Sequence, residues 1–175
     1  ELFFALPKSA QDWTAYFEPF IEGLFWRNPR AFTEGTVAAL NKYLAASGGS
    51  WDRVIDALAA VSTKPSHPFH ANRLYLYLAQ YPMANRDLRW SEYLRRRYAS
   101  PTIQRLLTWA EKLDGVSMSR ASAAELVTLL SLVLTTVVRR DRDLVTKALV
   151  LIGERFPDVL FAHTLVALDF NDPYV

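Results

Sequence analysis

The sequence predicts an all-α protein of antiparallel helical hairpins, stacked as a short α-solenoid. Three observations predict it. Apolar residues recur at i, i+3, i+4 and i+7 along much of the chain, the spacing that gathers them on one side of a helix. Proline, serine and glycine interrupt that pattern about every fifteen to twenty residues, the length of a short helix and its turn. The interruptions "NPRAF", "ASGGS", "TKPSHPF" and "YPMA" are brief, so consecutive helices lie antiparallel as neighbours.

Taken in order, the elements run as follows. The first spans Asp12–Trp26, with Pro19 as a point where the helix can re-nucleate, and the second spans Thr33–Ala46. Ser50 caps the third, Trp51–Ser62, whose Trp51, Val54, Ile55, Leu58 and Val61 recur at helical spacing. Ala71–Gln80 and Ala84–Arg97 follow, separated by the "YPMA" turn. Ser100 and Pro101 open Thr102–Leu113: serine caps, and proline at the first helical position loses no hydrogen bond. Ser122 and Glu125 have capping-box spacing at the start of Ala123–Val138. The run "LVTLLSLVLTTVV" inside that element is valine-rich enough to suit a strand. Thr128, Ser131 and Thr135 at i, i+3, i+7 instead give it a narrow polar stripe, which favours a helix packed on most sides. Asp141–Arg155 and Asp158–Leu168 complete about eight or nine helices.

Stacking rather than bundling is suggested by the last third. "RDRDLVTKALVLIGERFPDVL" is a charged turn, a helix, Pro157 and a second helix. Thirty residues after Val145 the chain reaches "NDPYV", another acidic turn leading to valine. Asp172-Pro173 is a cap and first-turn pair, so a truncated repeat is expected to start at about residue 171. One α-helical repeat domain, 1–175, is expected as a fragment of a longer chain, since no Gly/Ser linker or charge block divides it.

The composition narrows the class. With 51% apolar and 13% aromatic residues the chain is not a disordered one. A net charge of +2 is too small to demand a polyanionic partner. The chain contains no cysteine, so disulfides, thiol nucleophiles and thiolate metal sites are excluded. "ELFFALPKS" has no basic stretch before an apolar core and does not read as a signal peptide. The longest apolar run, Leu126–Val138, is shorter than the roughly 20 residues of a membrane span. No membrane partner and a cytoplasmic location are expected.

No catalytic, cofactor-binding or metal residue is expected. There is no P-loop, no G-x-S-x-G elbow and no H-E-x-x-H helix. His67 and His70, with Pro68 between them, read as turn and capping residues before Ala71; His163 reads as an interface or surface residue. The acid pairs Asp141/Asp143 and Asp169/Asp172 fall at helix ends, where carboxylates cap N–H groups.

One stretch stands apart. "MANRDLRWSEYLRRRY", residues 83–98, holds five arginines and three aromatic rings in sixteen positions. On a helix Trp90, Tyr93, Leu94 and Arg97 share a side, with Arg86 and Asp87 among them near the start. Arg89, Glu92 and Arg96 flank it, so Glu92 is expected to pair with both arginines. The surplus from Arg86 to Arg97 is five positive minus two negative charges, or three, spread around the helix. Two readings stay open: a solvated helix edge, or a surface for phosphate or an acidic partner. Arg86 and Asp87 are expected to form a partly buried pair that locks the "YPMA" turn, so that Arg86→Ala costs stability rather than binding.

The segment His67–Leu94 resembles part of the C-terminal α-helical, HEAT-like repeat region of large bacterial STAND/NACHT-type NTPases of antiviral defence. That pattern reads H-P-x-N-A-x-x-L, then S-M-P-x-R-D-x-x-W-S-x-Y-L. His67, Pro68, Ala71, Leu74, Met83, Arg86, Asp87, Trp90, Ser91, Tyr93 and Leu94 match it, while His70 and Ala84 depart from it. Glu18–Asn41 and the stretch from Arg140 to the end resemble neighbouring helices of the same region. The resemblance implies a HEAT/armadillo-like scaffold in a polypeptide that carries its effector and ATPase domains elsewhere. It implies a protein partner: the remaining domains of that chain, or a foreign trigger protein. Nucleic acid is the competing partner, through Arg86, Arg89, Arg95, Arg96, Arg97, Arg139, Arg140 and Arg142. The tryptophans Trp13, Trp26, Trp51, Trp90 and Trp109 are expected in the core by default, with Trp109 at the edge of its stripe as a candidate partner contact.

Overall fold

The structure, a computed structural model, describes residues 13–38, 51–96, 101–113, 117–170 and 172. Among these every regular element is helical and no strand occurs. Helix α1 (Trp13–Trp26) runs continuously through Pro19. A 3-10 turn at Pro29–Ala31 follows, capped by Asn28, whose side chain accepts from the Arg30 N–H at 3.0 Å. Residues 34–38 are helical, with the Thr33 hydroxyl accepting from Thr36 N–H at 3.3 Å. The remainder of the expected Thr33–Ala46 helix lies outside the described residues. Then come α2 (Trp51–Ser62), α3 (Ala71–Ala79) and α4 (residues 83–95). Helix α4 is two short α segments, Met83–Arg86 and Glu92–Arg95, joined by a π turn over Asp87–Ser91. The chain continues with α5 (Pro101–Ala110), α6 (Arg120–Val133), α7 (Arg139–Arg155) and α8 (Pro157–Ala167).

Helix α6 organises the rest. Every residue from Leu126 to Val133 is buried, and α6 packs against α2, α3, α7 and α8. Each fully buried leucine or valine in such a segment contributes about 1.5–3 kcal/mol. The polar stripe lies inside the protein. The Thr128 hydroxyl donates to the Ala124 carbonyl at 3.0 Å and Ser131 to Val127 at 2.9 Å, so each polar group is satisfied by its own helix. Contacts that gather on one helix, with α5 also touching α2 and α7, are those of a compact helical bundle.

The ends of α6 differ from expectation. Ser119, not Ser122, is its N-cap, and accepts from Ser122 N–H at 3.1 Å. The helix stops at Val133 rather than Val138. Thr135, Thr136, Val137 and Val138 are all β-branched and lose side-chain freedom in a helix. The Thr135 hydroxyl also turns back to the Leu132 carbonyl at 2.9 Å, drawing on a group the helix end leaves open. Helices α7 and α8 form a tight hairpin through Pro157 at a first helical position. A Cβ on Gly153 would meet Leu160 Cδ2 at 2.6 Å, so a larger residue there makes the Leu160 side chain shift.

Candidate functional site

The R-D-x-x-W-S-x-Y-L stretch is an anchor. From one side of α4, three side chains reach three other parts of the protein. Arg86, only 5% exposed, donates from Nη1 to the Phe170 carbonyl at 2.7 Å and lies 4.3 Å above the Phe170 ring. Its Nη2 is 3.8 Å from the Asp172 carboxylate, which is also nearly buried. Trp90 Nε1 donates to the Leu132 carbonyl at the end of α6, at 2.7 Å. Tyr93 donates to Asp56 Oδ1 on α2 at 3.1 Å, and Thr102 at the start of α5 donates to the other oxygen of that carboxylate at 2.9 Å. Leu94 is buried beside them.

The expected Arg86–Asp87 pair is not formed. Asp87 is exposed and accepts from the Ser91 hydroxyl at 2.8 Å, while Arg86 turns to the segment after α8. That carbonyl and carboxylate, 84 and 86 positions along the chain, form a more buried and more complete site for a guanidinium than an exposed neighbour does. Phe170 is held from its other neighbours too, with the Tyr75 ring 4.6 Å away and the Tyr75 hydroxyl donating to the Val166 carbonyl at 3.1 Å. Burial, and the nearby Asp169 carboxylate, push the Tyr75 hydroxyl pKa up, keeping it a donor.

Outward-facing arginines on α4 are largely engaged. Glu92 pairs with Arg95 and Arg96, both at 2.8 Å, and these arginines hold its carboxyl below the usual range. Arg96 also lies 3.8 Å from Asp52. The expected Glu92 partner Arg89 instead sits over the Tyr81 ring at 4.6 Å and donates to the Tyr77 hydroxyl at 3.4 Å. The π turn explains the exchange. It inserts about one residue into the α register between 87 and 91, which turns the Arg89 side chain away from Glu92 although the Glu92 N–H still meets the Arg89 carbonyl. Arg139, Arg140 and Arg142 lie in the first turn of α7, a separate helix. Arg139 is 3.8 Å from Asp143, and Arg142 donates to the Thr136 carbonyl at 2.8 Å. Arg140 borders a shallow cleft with Glu111 and the buried Asp141. Arg97 lies outside the described residues.

The histidines act within the framework. His67 is a turn residue, as expected, and a buried one. Its Nδ1 accepts from the Phe69 N–H at 3.1 Å, which leaves Nε2–H to donate to the Leu24 carbonyl of α1 at 3.2 Å. Burial lowers its pKa and favours this neutral form. His70 does occupy the N-cap position of α3, but Glu125 of α6 supplies the cap. One carboxylate oxygen accepts from Asn72 N–H at 3.1 Å and meets His70 Nδ1 at 3.0 Å. His163, expected as an interface or surface residue, lies at an interface between helices: it packs edge-on to Tyr75, with Nδ1 3.4 Å from the Thr128 hydroxyl. Its Nε2 is buried with no hydrogen-bond partner among the described residues. No group of three or more His, Asp or Glu side chains stands together as a metal site among them. No described helix is long and apolar enough to cross a membrane.

Three surface features remain. Trp26, expected in the core, is 87% exposed at the end of α1. Its helix stops where the chain turns at "NPRAF", and among the described residues nothing continues the apolar stripe around it. The side chains of Trp13 and Trp51 lie outside the description. Helix α8 shows an outer face of Phe161, Leu165 and Val166, continued by Leu168, each more than half exposed, with Val150 of α7 also exposed. Trp109 is 36% exposed and lines a groove of about 500 Å³ between α2, α5 and the start of α6. Sequence reasoning found the tryptophan but not the groove, whose walls come from three segments far apart in the chain. Comparison with protein-family models, with curated proteins and with solved structures gives no match to this chain.

Proposed function

We propose that this chain is a non-catalytic helical scaffold and protein-recognition segment of a large bacterial STAND-type antiviral ATPase, working in the cytoplasm as a sensor or spacer region. The single observation that carries the reading is helix α8. A helix apolar all round belongs in an interior. Here one side of α8 packs on α6 and α7, and the other presents Phe161, Leu165, Val166 and the adjoining Leu168. Such a contiguous apolar face fits a protein contact better than open water. Its occupant is an apolar helix of the parent polypeptide, stacked on the α7–α8 hairpin as the next layer of a HEAT-like solenoid. The resemblance of the R-D-x-x-W-S-x-Y-L stretch supports the same assignment, and the use of those residues as internal anchors suits a rigid spacer.

The test is hydrogen exchange across 157–170 in the parent polypeptide and in the 175-residue chain. Slowing by about tenfold or more in the parent, corresponding to about 1.4 kcal/mol of added protection, and its loss in Phe161→Asp, are expected. Equal exchange in the two proteins refutes the stacking. The second reading, a nucleic-acid-binding helical surface, draws on the same arginines. Glu92 and Asp52 beside Arg95 and Arg96 weigh against it, because a phosphate-binding stripe is weakly neutralised.

A further inference from the structure

We infer that the groove beside Trp109 binds a small organic anion with a ring-bearing apolar body, an aryl carboxylate or sulfonate in chemical class. Its volume, about 500 Å³, lies in the range of small-ligand sites and is too small for a protein domain. One wall is Trp109, an exposed ring able to stack. Met118, which adapts to irregular shapes, and Leu106 complete the apolar lining, and Ala60 leaves the space open. Among the described residues Arg105 is the one cation of this lining, and none of them places a carboxylate in it. Arg105 has no carboxylate partner among the described residues, unlike Arg95, Arg96 and Arg120. A guanidinium beside an aromatic wall, with no counter-charge among the described residues, is complementary to a ligand with one planar anionic end. One cation matches one anionic group and not a chain of phosphates.

The inference is independent of the apolar face of α8, and the experiment separates the two. 8-Anilinonaphthalene-1-sulfonate has both halves of the required chemistry and is titrated into the folded 175-residue chain by fluorescence and calorimetry at neutral pH. Saturable binding at one site is expected. Arg105→Gln, at an exposed position, is expected to leave melting unchanged and weaken binding by about tenfold or more, the effect of one lost charge-assisted hydrogen bond. Ala60→Leu, which fills the groove, is expected to weaken binding, and Phe161→Ser to leave it intact. No saturable binding, binding indifferent to Arg105→Gln and Ala60→Leu, or binding abolished by Phe161→Ser overturns the assignment.

Discussion

Replacing Arg86 by alanine tests how the segment after α8 is held. The guanidinium is 5% exposed, makes a 2.7 Å bond to the Phe170 carbonyl, covers the Phe170 ring at 4.3 Å and faces Asp172 at 3.8 Å. A charge-assisted bond of this kind is worth about 1.5–3 kcal/mol, and a desolvated cation–π contact about 2 kcal/mol. These overlap, because one group makes both. Removing one partner of a buried ion pair costs about 3–5 kcal/mol as a whole, since the other charge is left without compensation. For a chain of this size that lowers Tm by about 6–20 °C. Urea unfolding followed by tryptophan fluorescence gives the free energy. Arg86→Lys keeps the charge but not the planar fork, and is expected to recover only part of the loss.

An escape route exists and is measurable. The groups that Arg86 holds lie after the last described helix, so they can peel into water and limit the global cost. Hydrogen exchange then reports the damage locally, at the Asp169 and Phe170 amides that bond back to Val166 and Ala167. A variant whose global stability falls by less than about 1 kcal/mol, and whose exchange at those two amides is unchanged, refutes the clamp.

Three further outcomes follow from the same geometry. Trp90→Phe keeps a ring but loses the 2.7 Å bond to Leu132 and is expected to cost about 1–3 kcal/mol, against about 3–5 kcal/mol for Trp90→Ala, by urea unfolding. Glu125→Ala removes the cap that α6 supplies to α3 and is expected to cost about 1 kcal/mol, with faster exchange at the Asn72 amide. Burial lowers the pKa of both His67 and His163 from 6.5, so the unfolded chain takes up protons first and stability falls as pH drops below about 6.5. Melting from pH 7.5 to 5.5 is expected to show this fall, with a shallower slope in His163→Phe; an unchanged slope in that variant removes His163 as a contributor.

Local pattern made the helices legible, and distance along the chain hid their partners. Trp90, Tyr93 and Leu94 share a side at helical spacing, and that side is buried. Nothing local names Leu132, Asp56 or Phe170 as what they meet. The polar stripe of α6 correctly marks a helix. It does not mark a solvated face, because threonine and serine hydroxyls can bond within their own helix. Arg89 departs from its expected place for a different reason. Ideal 100° steps carry no signal for a π turn, which shifts the local register around Arg89 while Trp90, Tyr93 and Leu94 stay on the buried side. Glu125 has the spacing of a local capping-box acid and instead accepts from the Asn72 N–H of α3, 53 positions away. The groove escaped because α2, α5 and the 117–122 segment meet only in three dimensions.

The interleaving of arginine with aromatic residues from 83 to 96 therefore has two separate origins. One is mechanical. A helix that joins α2, α6 and the segment after α8 needs long side chains ending in hydrogen-bond donors, and arginine, tryptophan and tyrosine are the ones that also bury apolar area. The other is solvation of the opposite side, where Arg95 and Arg96 share Glu92 at 2.8 Å. Exposed pairs of this kind are worth about 0–1 kcal/mol and are weakened by salt. The two sets answer to different constraints: a change at Arg86, Trp90 or Tyr93 removes a hydrogen bond that joins α4 to another part of the protein, whereas a change at Arg95 or Arg96 touches only an exposed ion pair. A partner that binds α4 through its arginines must first displace Glu92 and Asp52 from them. A partner that meets α8 or the Trp109 groove displaces only water, so those two surfaces are more open to a contact than the paired arginines of α4.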